Sequence, residues 1–248
     1  MSQLKWLPVI LITILIASPL KAEPIRTFFS VENQFPRWEQ LEVGLEFNNI
    51  EQEVGFQDIT YRETSLYARY GLLDNFAVLL DIPVAQSDVS PGDSETGIGD
   101  VGLGFQLRTY EDIFGYPYFI PYVTVTFPTG DEDKNLGQGD VALIGGISFG
   151  STINDWIDWV IDLGYRINSD EDNQVLIGHS YVWNVSDEFA ILTEVAYRQE
   201  IEDMLDNEFL FGAGINYNWT PNVEMGLLAS TGSESTESEL NLRVSYSF

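Results

Sequence analysis

The stretch IDWVIDLGYRI, residues 157–167, decides the fold because its side chains alternate between two chemically different faces. One face is apolar and aromatic, with Ile157, Trp159, Ile161, Leu163, Tyr165 and Ile167. The other is polar or small, with Asp158, Val160, Asp162, Gly164 and Arg166. A period of two is that of a β-strand, and helical spacing does not fit it. The segments EFLFGAGINYNW (208–219) and SELNLRVSYSF (238–248) repeat the pattern.

The same alternation predicts twelve strands along the chain. We place them at about 41–48, 62–71, 75–83, 98–109, 116–127, 139–149, 157–167, 174–184, 188–198, 208–218, 222–230 and 238–248. The connections alternate between tight turns and longer acidic loops, the latter at 49–61, 84–97, 128–138, 168–173, 199–207 and 231–237. Short turns at one end and long loops at the other are typical of bacterial outer-membrane barrels, and an even strand number puts both chain ends on the periplasmic side.

Three features favour a membrane barrel over a soluble β-sandwich. Rings lie at the ends of the apolar faces, as in aromatic girdles: Trp159, Tyr165, Phe209, Tyr217, Trp219 and Tyr246. The opposite faces carry charges in mid-strand, which suits a wet lumen. The chain ends on Tyr246 and Phe248, which resembles the signal read by the barrel assembly machinery. The prediction is an all-β, transmembrane, antiparallel up-and-down barrel over residues 41–248.

The composition excludes several other classes of protein. The chain of 248 residues has 39 acidic and 11 basic residues, a net charge of −28 and no cysteine. Nucleic-acid binding is excluded because phosphate contacts need basic side chains. Disulfides and cysteine–zinc sites have no residues to form them. No cofactor is expected.

The N-terminus has the pattern of a secretory signal peptide. Lys5 precedes an apolar run from Trp6 to Leu20, and Ala22 is a plausible cleavage position. We therefore assign residues 1–22 to the signal peptide and expect export through the periplasm to the outer membrane. Residues 23–40 are predicted either to lead into the first strand or to plug the barrel.

The inward faces of the predicted strands supply the candidate site. They carry ten acids and five bases, which are Glu42, Glu46, Asp81, Asp100, Asp140, Asp158, Asp162, Glu194, Glu224 and Glu239 with Arg69, Arg108, Arg166, Arg198 and Arg243. One interpretation is a polar pore whose negative excess favours cations or neutral solutes. The other is a set of salt bridges that brace and fill a narrow barrel.

Other chemical motifs are weak. Residues 97–102 match G-x-G-x-x-G, but the run continues as a strand and not as a helix, so dinucleotide binding is not expected. The loop 131–140 has the first acids of a calcium loop but neither its glycine nor its final glutamate. Loose divalent binding by loop acids stays an alternative, with Asp131, Asp133, Asp170 and Asp172 as weak candidates. His179 raises the remote alternative of a lipid hydrolase on the outer wall, although Ser180 points to the opposite face.

Three consecutive stretches carry a family resemblance: RYGLLDNFAVLLDIPV (69–84), GIGDVGLGFQLRTY (97–110) and FPTGDEDKNLGQGD (127–140). They resemble the phenol-degradation meta-pathway family of outer-membrane β-barrels, often simply called transporters. The matching motif residues are Gly99, Asp100, Arg108, Pro128, Thr129, Gly130 and Asp131. The first loop and the 199–207 loop are more acidic than the family pattern. The resemblance implies passage of small molecules that are hydrophobic or aromatic.

Together these observations predict a channel for passive diffusion of small molecules, and not an enzyme. The expected partners are outer-membrane lipid and lipopolysaccharide, the barrel assembly machinery and a small solute. The rival hypothesis is a non-conducting structural barrel whose acidic loops bind divalent cations.

Overall fold

The structure is a computed structural model that describes residues 27–30, 35–54, 57–90, 92, 94–109, 118–153, 156–168, 173–201, 207–233 and 236–248. The predicted signal peptide therefore lies outside the described residues. Within them, the chain is almost entirely β-strand, with one short 3₁₀ helix, Glu132–Lys134. No described helix has the length and apolar character to cross a membrane.

The described strands follow the predicted order. They are β1 (Leu41–Val54), β2 (Gln57–Leu73), β3 (Phe76–Ser90), β4 (Ser94–Ile98), β5 (Val101–Leu107), β6 (Tyr118–Phe127), β7 (Ala142–Ile153), β8 (Ile157–Ile167), β9 (Gln174–Asn184), β10 (Phe189–Glu200), β11 (Asn207–Thr220), β12 (Val223–Gly232) and β13 (Thr236–Ser247).

The strands close into a barrel. Each pairs with its antiparallel sequence neighbour, and β1 pairs with both β2 and β13. Since β4 and β5 both pair with β3 and follow one another, they form one interrupted strand, and the wall has twelve strands. At the closing seam the Phe248 N–H donates to the Leu41 carbonyl at 2.8 Å. The predicted twelve-stranded antiparallel barrel is confirmed, and the pairing of β1 with β13 closes the wall.

Two of the predicted long loops are wrong. Strands β1 and β2 stay in register as far as Val54 and Gln57, where 49–61 was predicted to be a loop. Strand β3 likewise continues to Ser90 and pairs with β4, where 84–97 was predicted to be a loop. A strand that has left the membrane needs no apolar face, so its alternation disappears from the sequence while its backbone pairing continues.

The predicted strand 98–109 is interrupted at Gly99 and Asp100. The inward parity changes there: Glu95 and Gly97 are the half-buried residues of β4, whereas the buried residues of β5 are Gly102, Gly104 and Gln106. The G-x-G-x-x-G motif thus lies across a break in a barrel strand, and β5 follows it.

The two faces of the wall differ as the sequence predicts. Large apolar side chains point outward and are exposed in the isolated chain, including Leu45, Leu66, Val84, Leu163 and Leu242. Tyr165, Phe209, Tyr217 and Trp219 are also exposed on this outer face. A continuous apolar belt with rings near its ends is the surface that a bilayer covers.

Candidate functional site: the barrel lumen

The inward face holds a set of buried charged side chains. Among the candidates, Glu42, Arg69, Asp162, Glu194, Glu224, Glu239 and Arg243 are buried. Glu46, Asp81, Asp100, Arg108, Asp140, Asp158, Arg166 and Arg198 are partly buried. Asp140 precedes β7, and the other residues of this second group lie on or beside inward positions of the strands.

Some of the basic candidates form ion pairs across the wall. Arg69 Nη1 lies 3.8 Å from Glu42, and Arg243 Nη2 lies 3.5 Å from Glu224. Arg198 pairs with Glu208, which the lumen prediction did not include, at 3.8 Å. The bracing interpretation therefore describes part of the lumen.

Arg166 and Arg108 make polar contacts of another kind. Arg166 donates to the side-chain oxygens of Gln138 and Asn168. Arg108 lies over the Phe35 ring, 5.1 Å from its centroid, and donates to the Asp74 carbonyl. Both residues therefore tie the barrel wall to connecting segments at its ends.

Five of the acidic candidates take hydrogen bonds from neutral donors. The donors are Ser65 for Asp81, Thr152 and Asn184 for Asp158, Tyr122 for Asp162, Ser180 with two backbone N–H groups for Glu194, and Asn241 for Glu239. A neutral donor satisfies a carboxylate without cancelling its charge. These contacts give the five carboxylates polar partners on the inward face.

Residues 27–30 contact the inward face of the barrel at Glu194. The Phe28 N–H lies 2.9 Å from Glu194 Oε1 and the Phe29 N–H lies 2.7 Å from Oε2. Ser180 donates to the same carboxylate at 3.0 Å and lies 2.9 Å from the Ser30 hydroxyl. One buried carboxylate therefore gathers two backbone donors and a hydroxyl, which are charge-assisted hydrogen bonds.

Arg243 also holds the same segment. Its Nη1 donates to the Thr27 carbonyl at 3.1 Å, and its guanidinium lies 4.4 Å from the centroid of the Phe28 ring. Phe28 and Phe29 also pack against an apolar cluster of Val182, Ala190, Leu192 and Leu228. The segment is thus held by charge, hydrogen bonds and apolar contact together.

Two glycines make room for the segment. A Cβ at Gly178 would lie 2.5 Å from the Phe29 carbonyl oxygen, and a Cβ at Gly226 would lie 2.9 Å from the Phe28 ring. Contacts this close require the segment or the wall to shift. We call the inward surface formed by Gly178, Ser180, Glu194, Gly226 and Arg243 the docking wall.

Residues 35–40, which lead into β1, contact the periplasmic end of the barrel. Phe35 is buried with Ala77, Tyr118 and Ile120. The Glu39 N–H donates to the Gly71 carbonyl at 2.8 Å. This anchoring fixes the chain immediately before β1.

A cavity of about 270 Å³ lies beside the segment. Thr27, Phe28 and Ser30 form one side, and Arg243 lies at the boundary with the docking wall. The other side, which we call the open wall, comes from β1, β2, β3, β5 and β6 and includes Glu46, Tyr67, Arg69, Asp81, Gly102, Gly104, Gln106 and Thr124. Glu46, Asp81 and Glu194 each lie five residues from the periplasmic start of their strands, at Leu41, Phe76 and Phe189. The segment and the cavity therefore share the middle of the barrel.

Four of the motif residues, Gly99, Asp100, Thr129 and Gly130, build a clasp at the extracellular end. Asp100 accepts from the Gly130 N–H at 2.8 Å and the Gln138 N–H at 2.7 Å. Thr129 donates to the Gly99 carbonyl at 2.7 Å and accepts from the Val101 N–H. These contacts tie the loop after β6 to the break between β4 and β5. The structure therefore places Asp100 in a loop contact.

The other motif candidates bring no reactive group together. Asp131 pairs with Lys134 at 3.2 Å and raises the pKa of that ammonium through a hydrogen bond and its charge. Within the described ranges no three His, Cys, Asp or Glu side chains form a potential metal site, and Asp170 and Asp172 lie outside those ranges. His179 stacks near Tyr181 on the outer face, and its cross-strand neighbours are Val195 and Ile161, which offer no nucleophile.

Sequence reasoning missed three inward tyrosines that cover glycines. Tyr67 lies over Gly44, Tyr122 over Gly146 and Tyr118 over Gly150, in each case on the paired residue of the neighbouring strand. An aromatic ring over a cross-strand glycine shields its backbone and fills the lumen. In each pair the glycine and the tyrosine lie on the inward faces of neighbouring strands. The sequence does not show which glycine faces which tyrosine until the register of the strands is known.

The chain matches the family model described as "Putative MetA-pathway of phenol degradation" over residues 39–248. The chain belongs to this family. A search of curated proteins gave no match.

Solved structures share the fold at low sequence identity. The COG4313 outer membrane channel from Pseudomonas putida F1 is 15% identical with a TM-score of 0.68, covering 94% of this chain and 100% of that one. KdgM porin is 9% identical with a TM-score of 0.59, covering 84% and 99%. The translocator domain of the autotransporter NalP from Neisseria meningitidis is 11% identical with a TM-score of 0.56, covering 84% and 87%. These likenesses establish an outer-membrane type of barrel.

Proposed function

We propose that this protein is a bacterial outer-membrane channel through which small molecules diffuse passively, with cations and neutral solutes favoured over anions. The observation that carries the proposal is the cavity of about 270 Å³ in mid-barrel, lined by Glu46 and Asp81 on the open wall. An apolar outer belt supports a place in lipid, and a polar interior supports passage of a hydrated solute.

The likenesses of fold support the same class of function. Both the COG4313 protein and KdgM are named as a channel or porin in their structures. The family description mentions phenol degradation, and aromatic rings of Phe28 and Tyr67 border the cavity. We therefore include small aromatic molecules among the proposed solutes.

Residues 27–30 act in this proposal as a plug that narrows the lumen without filling it. Their contacts with Glu194, Ser180 and Arg243 fix them on the docking wall. The passage then runs along the open wall.

Recording from refolded protein in a planar bilayer under a KCl gradient tests the proposal. We expect stable current steps and a reversal potential of the sign for cation selectivity. Folding is verified independently by heat-modifiable migration of the barrel in gels. A folded barrel that gives no steps, or one that selects anions, contradicts the proposal.

A further inference from the structure

The cavity in mid-barrel has the size and lining of a binding site for a small solute. Its volume of about 270 Å³ lies just below the range of roughly 300–1,000 Å³ that holds drug-sized ligands. It has charged groups on the open wall and the Phe28 ring on the opposite side. Such a space takes one small molecule and excludes an extended oligomer.

Asp81 is the carboxylate that is best placed to receive a ligand. Its cross-strand neighbours are Tyr67, whose ring turns away to cover Gly44 on β1, and Gly102, which has no side chain. A Cβ at Gly102 would meet only the Asp81 Cβ, at 3.5 Å, which shows the space next to this carboxylate. Ser65 donates to one Asp81 oxygen at 3.2 Å from the extracellular side of β2. The other face of the carboxylate borders the cavity.

The aromatic lining of the cavity adds a second feature that suits a cation. The Phe28 ring already accepts the Arg243 guanidinium on one face, and Tyr67 lines the same cavity from the open wall. Rings attract cations through their negative faces, and a carboxylate supplies the full opposite charge. Glu46 on the neighbouring strand adds a second acid to the same lining.

We propose that the cavity binds small organic cations, with an ammonium group on Asp81 and an apolar or aromatic portion between Phe28 and Tyr67. This proposal rests on the channel function and names its preferred class of solute. The ammonium donates hydrogen bonds to Asp81. Gly102 and Gly104 have no side chains, so the cavity beside them has room for the rest of the ligand.

Three probes that share one ring separate charge from size: phenethylammonium, phenethyl alcohol and phenylacetate. Their block of single-channel current is recorded in the bilayer, and their binding to detergent-refolded protein is measured by calorimetry. We expect phenethylammonium to block and bind most strongly. Asp81→Asn should weaken its binding by about tenfold, because a buried charge partner is lost.

Two further variants test whether binding depends on Asp81 and on the space beside it. Glu239→Gln neutralises a buried lumen acid whose described donor is Asn241 and which does not line the cavity, so it should bind the cation as the natural protein does. Gly102→Val keeps the Asp81 charge but fills the space beside it, and should weaken binding as Asp81→Asn does. Equal binding of the three probes, or full affinity in both Asp81→Asn and Gly102→Val, would overturn the site.

Failure of the site and failure of the channel give different results. Current steps without preference for the ammonium leave the channel intact and refute the binding site. A folded barrel without current, but with calorimetric binding that Asp81→Asn abolishes, retains the site and refutes the proposed function.

Discussion

The docking wall and the open wall of the lumen each include at least one acid, an arginine and glycines, but these residues make different contacts. On the docking wall Glu194 and Arg243 are turned to the backbone of residues 27–30, over the small surfaces of Gly178 and Gly226. On the open wall Glu46, Arg69 and Asp81 border a cavity above Gly102 and Gly104. Glycine makes room on both walls, yet one space is filled by the chain itself and the other remains a cavity.

This contrast shows that counting lumen charges is insufficient to assign their roles. Glu194 and Asp81 both lie five residues inside their strands, and only the contacts distinguish the carboxylate that holds the chain from the one that lines the cavity. Variants that change one wall and leave the other intact can therefore separate the two roles.

The largest effect is expected from filling the docking wall. Gly178→Val places atoms where the Phe29 carbonyl lies, so the segment must leave the wall. Single-channel conductance should rise by about twofold or more, since lumen width sets passage. Gly145→Val is the matched control, because a Cβ there meets nothing within 4 Å. Conductance that is the same in Gly178→Val, Gly145→Val and the natural protein would show that the segment does not narrow the channel.

A smaller effect on the same wall is expected from Glu194→Gln. The amide keeps one acceptor oxygen but loses the charge that holds two backbone N–H groups, each worth about 1.5–3 kcal/mol to a charged acceptor. The segment should detach part of the time, and the current should switch between two levels. Glu239→Gln serves as the control acid and should show a single level. Steady single-level current in Glu194→Gln would argue against the role of this carboxylate.

Ion selectivity should change more when acids of the open wall are neutralised than when other acids of the lumen are neutralised. Neutralising Glu46 and Asp81 together should move the reversal potential toward zero further than neutralising Asp158 and Asp162. The reason is that Asp158 and Asp162 are held by Thr152, Asn184 and Tyr122 and do not line the cavity. Equal shifts in the two double variants would place the selective region outside the cavity.

The smallest effect on conductance is expected from variants of the extracellular clasp. These variants should instead lower the free energy of unfolding. Asp100→Ala removes the acceptor of two backbone N–H groups and should lower the free energy of unfolding by about 1–3 kcal/mol. Asp131→Ala removes an exposed pair with Lys134 and should change the free energy of unfolding much less, because water screens exposed charges. Denaturant unfolding in detergent measures both. Similar losses in the two variants would contradict the clasp.

The barrel itself was predictable because lipid imposes a period of two on every strand that it touches. Strands such as 157–167 and 174–184 have the predicted ends. The hairpins of β1, β2 and β3 were predicted too short because β2 extends to 17 residues, beyond the roughly 9–11 that cross a bilayer, and outside it no apolar face is required.

The inward position of most candidates also followed from parity, but their partners did not. Nothing local to Glu194 indicates that it accepts from Phe28, 166 positions earlier in the chain. The break at Gly99 and Asp100 is likewise set by Gly130 and Gln138 in a distant loop. Such contacts depend on register and closure, which alternation alone does not specify.

A reversible tether tests most directly whether solutes pass along the open wall while the segment stays docked. The chain has no cysteine, and the hydroxyls of Ser30 and Ser180 lie 2.9 Å apart, so the double variant Ser30→Cys with Ser180→Cys can form a disulfide that fixes the segment. Single-channel conductance is recorded before and after reduction, with each single variant as control. We expect the oxidised, tethered barrel to conduct still, with cation selectivity. Loss of current on oxidation, restored by reduction, would show that the segment must leave for passage and would contradict this expectation.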